Sequence, residues 1–295
     1  MSLPAAYLGV IVIWSTTPLA IQWSGQGGGF LFGVSVRMWL GALLAVALSW
    51  LLRIRLPQDR AARHTYLAAG LGIFFAMLSV YWASQYIPSG WISVIFGLTP
   101  IVTGLMASLW LRERALSPER LLGMLLGLAG LAVIFGRGLH LGPQAVQGLL
   151  AMLASVVFHC ASAVWVKRLN PGLHGLSVTT GGLLVSAPLF LLAWVLTGQH
   201  WPQALPARAV VSIGYLALFG SVLGFALYYY VLRHMEAGRV ALITLITPVI
   251  ALLLGNLLNG EPVDALVYAG AVLILAGLAS YQWGVQLWRF AWVRE

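Results

Sequence analysis

The chain reads as an all-α integral membrane protein, with ten transmembrane helices forming two inverted five-helix repeats and both termini in the cytoplasm. Composition, run length and an internal repeat carry that expectation. Of 295 residues 61% are hydrophobic and 8% charged, and the mean hydropathy is +0.93. That leaves too little polar surface to cover a soluble core, so lipid is the solvent of this chain.

Apolar runs near 4–23, 30–52, 66–86, 88–111, 118–136, 146–166, 176–197, 209–232, 240–258 and 264–285 are each long enough to cross the hydrocarbon layer. The connections left between them are too short for a soluble ATPase, kinase or nucleic-acid module. The net charge of +9 is therefore no nucleic-acid footprint. Arg53, Arg55, Arg60 and Arg63 follow helix 2, Arg112, Arg114 and Arg120 follow helix 4, and Lys167 and Arg168 follow helix 6. Arg233 and Arg239 flank the turn after helix 8, and Arg289 and Arg294 follow helix 10. The opposite connections hold only Arg137 and Arg208, with Glu261 and Asp264 after helix 9. The positive-inside rule then puts both termini in the cytoplasm. The segment from Met1 to Tyr7 has no basic n-region and no small-residue cleavage site, so helix 1 is expected to be retained. Cys160 is the single cysteine, which rules out an intramolecular disulfide and a CxxC metal site; no metal and no cofactor is expected.

Tyr81 to Glu113 and Tyr229 to Glu261 align without a gap, pairing Gly90 with Gly238, Ile95 with Ile243, and Thr99-Pro100 with Thr247-Pro248. The repeat divides the chain into a first five-helix unit, 1–140, a second, 145–285, and a cytoplasmic tail, 286–295. An odd helix count makes the second unit enter the membrane from the other side. Inverted halves that meet at the bilayer centre give two related faces able to open alternately around one site, which is a means of moving a solute.

Trp14-Ser15-Thr16-Thr17, Val36-Arg37-Met38-Trp39, the paired Thr-Pro steps, and the runs Arg112-Glu113-Arg114 to Gly130 and Gly260-Glu261-Pro262 to Gly277 carry a resemblance. In these, over nearly its full length and twice over, the chain resembles the EamA-type drug/metabolite transporters and is similar to their amino acid and metabolite exporters of the YddG type. The resemblance implies a bacterial inner-membrane exporter with a central cavity lined by helices 1, 3, 4, 6, 8 and 9, and helices 5 and 10 outside it.

Pro100 and Pro248 each remove a backbone donor, freeing the carbonyls of Phe96 and Thr244, and Pro18 does the same to Trp14. Such a step is either a packing kink or a gating hinge that offers the carbonyl to a ligand. Thr99 and Thr247 stand beside the breaks. Helix 1 carries Ser15, Pro18 and Gln22 on one face, and helix 6 carries Ser155, His159 and Ser162 at matching spacing. Hydroxyls at such places either bond between helices or meet substrate. Candidate substrate contacts are Trp14, Ser15, Thr17, Tyr81, Trp82, Phe96, Thr99, His159, Ser162, Phe225, Tyr229, Thr244 and Thr247. His159 lies about 12 Å inside by helical rise and is the candidate for proton coupling. Arg37, about 10 Å deep in helix 2, is expected to be structural, snorkelling or bonded to helix-end carbonyls. Glu113 and Glu261, the repeat mates at the helix ends, are expected to be structural as well.

All seven acids, Asp59, Glu113, Glu119, Glu236, Glu261, Asp264 and Glu295, stand at or beyond helix ends, so no midplane carboxylate can hold Na⁺ or a cationic substrate. No clustered nucleophile, base or metal set marks an enzyme. The expected activity is export or facilitated passage of amino acids or similar small amphipathic metabolites by alternating access, uncoupled or weakly proton-linked. Export of amphipathic drugs or dyes is the alternative. The expected partners are the lipid bilayer and a small-molecule substrate, with no nucleic acid. The glycine pattern at Gly123 and Gly127 fits packing within the protomer or between protomers, and the duplicated halves make a functional monomer sufficient.

Overall fold

A computed structural model describes residues 2–111, 118–141, 143–169, 172–198, 201–235, 240, 243–261 and 264–292. Glu113 lies outside the described residues. Among those described, all regular structure is helical: α1 (Leu3–Ser24), α2 (Gly29–Leu51), α3 (Arg60–Ala83), α4 (Ser89–Phe96), α5 (Thr99–Leu111), α6 (Pro118–Leu141) and α7 (Pro143–Leu169). There follow α8 (Gly175–Leu196), α9 (Ala207–Tyr215), a π-helical segment (Leu216–Leu223), α10 (Gly224–His234), α11 (Ile243–Asn259) and α12 (Ala265–Trp292). Among the described residues seven stretches are long and apolar enough to span a membrane, and shorter apolar helices cover 121–134, 247–259 and 265–277.

Local chemistry explains several boundaries. α3 starts at Arg60, earlier than its apolar run, because the Asp59 carboxylate accepts a hydrogen bond from Ala62 N at 3.1 Å and caps the helix. His174 Nδ1 accepts from Leu176 N at 3.2 Å and starts α8 in the same way. Residues 286–292, expected in a tail, continue α12. The stretch expected as a single helix 4 is two helices, with a turn at Gly97 and Leu98. Pro100 is the second residue of α5, where its missing N–H would have had no intrahelical partner. The break belongs to Gly97, whose mate 148 residues on is Leu245; glycine weakens a helix by about 0.5–1 kcal/mol relative to alanine. Pro248 by contrast sits inside an unbroken α11.

Buried hydroxyls join the helices where lipid offers no competing water. Ser155 Oγ donates to Ala76 O at 2.8 Å and Ser162 Oγ to Ala68 O at 3.0 Å, tying α7 to α3. Ser35 Oγ donates to Phe190 O at 3.1 Å, and Ser49 and Thr180 share a 2.9 Å bond, tying α2 to α8. α1 packs on α11, α10 and α9, α4 on α11, and α5 on α7.

α6 and α12 form a pair at the periphery, held by glycines. A Cβ on Gly130 would sit 2.5 Å from Gly270 O, and one on Gly277 would sit 2.5 Å from Gly123 O. The glycine face read from Gly123 and Gly127 is therefore used within the protomer. Gly130→Val is expected to destabilise the protein by about 1–3 kcal/mol, since backbone rather than a flexible side chain opposes the new methyls. A thermal unfolding midpoint in detergent equal to wild type would contradict this packing.

Candidate functional site

Spacing along each helix brings one face of several helices to a common cavity. α1 contributes Trp14, Thr17, Pro18 and Ile21, which share a face at i, i+3, i+4 and i+7. Met77 and Val80 of α3, Ser93 and Phe96 of α4, and Thr244 and Thr247 of α11 are pairs at i, i+3. Ile92 of α4, Arg37 of α2, His159 of α7, Gly220 of the π segment and Phe225 of α10 complete the wall.

The wall is aromatic around His159. Its ring stands edge-on to Trp14 at 5.7 Å and to Phe96 at 5.8 Å, and lies 5.4 Å from Tyr228. Among the described residues it makes no hydrogen bond, so both ring nitrogens are left for a solute or water. The hydroxyls differ in their commitments. Thr17 Oγ1 donates to Ile13 O at 2.7 Å, whereas Ser93 and Thr247 make no hydrogen bond among the described residues. A surface of rings with a few hydroxyls suits a small amphipathic solute.

Arg37 is 1% exposed. It does not snorkel and it does not bond helix-end carbonyls, which corrects the expectation. Its Nε donates to Ser221 Oγ at 3.0 Å, and one terminal nitrogen donates to Tyr81 Oη at 3.3 Å. The side chain is held on the cavity wall because α2 packs against the π segment, and the wider turn there carries Gly220 and Ser221. π-helical turns inside α-helices are frequent at functional sites.

Several sequence candidates lie elsewhere. Ser15 is buried and donates back to Ile11 O at 2.7 Å, its helical position turning it from the cavity. Trp82 packs on Tyr86. Tyr81 stands behind the wall, supporting Arg37. Thr99 is buried with an unpaired hydroxyl beside a smaller void that Trp14, His159 and Thr244 share. Ser162 and Tyr229 line another small void, which shares Met77, His159 and Phe225 with the main cavity. Ser93 and Gly220 were missed; Ser93 was legible as the residue one turn before Phe96, while nothing in the sequence announced the π segment.

Polar networks stand at two sets of helix ends. At one, Trp23 Nε1 donates to Asn259 Oδ1 at 2.9 Å, and Asn259 Nδ2 donates to Gln22 Oε1 at 2.9 Å and to Glu261 Oε1 at 3.0 Å. Glu261, 8% exposed, also accepts from Gly90 N at 3.3 Å at the start of α4. At the other, Lys167 Nζ donates to the carbonyls of Leu232 and Met235 beside a void that Tyr229 and Arg233 also line.

The profile of the EamA-like transporter family matches residues 4–136 and again residues 146–281. The chain belongs to the EamA-like transporter family. This EamA-like protein is 25% identical over 293 residues to the "Probable amino-acid metabolite efflux pump" of Escherichia coli (strain K12), covering 96% of this chain and 95% of that one. It is 24% identical over 272 residues to the "Uncharacterized transporter YvbV" of Bacillus subtilis (strain 168), covering 91% and 88%. A solved crystal structure superposes with a TM-score of 0.68 at 22% identity, covering 96% of this chain and 98% of the other, so the EamA-like fold is shared with it. The protein is a transmembrane transporter, multi-pass in the plasma membrane.

Proposed function

We propose that the protein carries amino acids or similar small amphipathic metabolites across the membrane by alternating access around the central cavity. The observation that carries the reading is the cavity itself, where aromatic rings, uncommitted hydroxyls and helix positions from both halves of the chain meet. The name of the Escherichia coli relative, an amino-acid metabolite efflux pump, agrees with it. So does a packing pattern that recurs when the halves are exchanged: α3 packs on α7 as α10 packs on α1, and α5 on α7 as α11 on α1. This favours two inverted five-helix units and ten membrane crossings, and the basic connections after the even-numbered helices favour cytoplasmic termini. The glycine pairing of α6 with α12 inside one protomer favours a functional monomer.

No carboxylate lines the cavity among the described residues, so obligate ion coupling lacks its usual group. His159 is the remaining candidate for a proton link. Uptake of labelled amino acids into proteoliposomes tests the reading: saturable uptake is expected, with little response to an imposed pH gradient. His159→Gln is expected to keep uptake within about threefold of wild type and to remove any gradient response that exists. Absence of saturable uptake across the panel, with a drug or dye transported instead, would replace the amino acid reading.

A further inference from the structure

Among the described residues Arg37 is the one charged side chain on the cavity wall, and no carboxylate answers its charge; the guanidinium carbon lies 5.8 Å from the centre of the Tyr81 ring. A guanidinium carries five N–H donors. Two of Arg37's are used, one by Ser221 and one by Tyr81, both neutral hydroxyls. The other three have no hydrogen-bond partner among the described residues, and no ion pair forms there. A Cβ at Gly220 would lie 3.0 Å from the remaining terminal nitrogen, so the glycine lets the guanidinium pack close against the π segment where both line the cavity.

Burying a cation without a counter-ion costs several kcal/mol, and a fold that merely needed to join α2 to the π segment could do so with a neutral donor. Arginine is also the residue whose planar fork matches an oxyanion through parallel N–H bonds. We propose that Arg37 is the anion anchor of the cavity: it pairs with a carboxylate or comparable oxyanion of the cargo, whose apolar body lies against Trp14, Phe96 and Phe225. This rests on the transport reading above and narrows its substrate class. The cargo supplies the counter-ion that the protein omits. An ammonium on the same solute finds no carboxylate among the described lining residues, so an amino group is expected to add less to recognition than the carboxylate.

Three probes with one apolar body separate the charges: phenylalanine, 3-phenylpropionate and phenylalaninamide. Binding to the purified full-length protein in detergent is read by thermal stabilisation and tryptophan fluorescence, and uptake by competition in proteoliposomes. Phenylalanine and 3-phenylpropionate are expected to bind with similar strength, and the amide at least about tenfold more weakly, as loss of a charge-assisted pair implies. Arg37→Gln is expected to erase the preference for acid over amide, and Arg37→Lys to retain part of it. Equal binding of acid and amide to wild type overturns the proposal without need of any variant, as does an unchanged preference in a folded Arg37→Gln protein. Carboxylate-selective binding without saturable uptake of any solute would instead sink the transport reading and leave the anion site standing, whereas saturable uptake indifferent to the carboxylate would do the reverse.

Discussion

Asn259→Ala is expected to unfasten the Glu261 end of the protein, raising access to that end at least about tenfold. Asn259 is a single amide with three partners on two segments: it accepts from Trp23, and it donates to Gln22 and to Glu261. Glu261 in turn holds the first turn of α4 through Gly90 N, where a carboxylate is favoured by the unpaired N–H groups of a helix start. Alanine leaves the Glu261 carboxylate, the Trp23 indole and the Gln22 amide each short of a bond, and each group then gains more from water than from staying buried. The measurement uses the fact that Cys160, the single native cysteine, is buried. Ser89→Cys places a thiol beside Glu261, at a position that is 0% exposed and whose hydroxyl has no partner. Thiol labelling at this site should be slow in the Ser89→Cys protein and fast when Asn259→Ala is added. Equal labelling rates in the two proteins would show that the network does not close this end.

Pro248→Ala is expected to slow saturable transport about tenfold or more, with Pro100→Ala far milder. The repeat alone predicts equal effects, because the two Thr-Pro steps are mates. The structure separates them. At Pro248 an unbroken helix passes the cavity, and proline takes away the donor that Thr244 O would otherwise receive at the turn carrying Thr244 and Thr247. Alanine restores that bond, stiffens α11, and draws the Thr244 carbonyl back into the helix ladder. At Pro100 the chain has already broken at Gly97, so alanine restores little. Initial uptake rates, normalised to protein in the membrane, decide the matter. Equal slowing by the two single variants would show that the proline and not the preceding glycine makes the α4–α5 break.

Much of the cavity was legible because helical periodicity and duplication are properties of the sequence itself. Trp14, Thr17 and Pro18 are one helix face by spacing, and Thr244 and Thr247 follow from the second Thr-Pro step. Phe96, His159 and Phe225 stood out as rings or an ionisable group on the same helices. Ser15 and Trp82 were misplaced for one reason. A span is polar or aromatic on more than one side, and which side meets protein, cavity or lipid depends on the rotation of each helix against its neighbours.

Arg37 shows the limit most clearly. Its type and depth were readable, and an intramembrane cation is a functional candidate on that ground alone. Its role depends on where the guanidinium ends, which a seven-residue count from a helix end cannot give. By itself the sequence determined the solvent, the helical class, the duplication and the absence of midplane carboxylates, because each follows from which residues are present and at what interval. Only the tertiary structure decided that α2 meets a π-helical turn there, that Gly220 lets the guanidinium pack close against that turn, and that Asn259 bridges Trp23 and Glu261 across more than two hundred residues of chain. Those arrangements arise from packing between segments far apart in the chain, and no local propensity encodes the angle at which two helices meet.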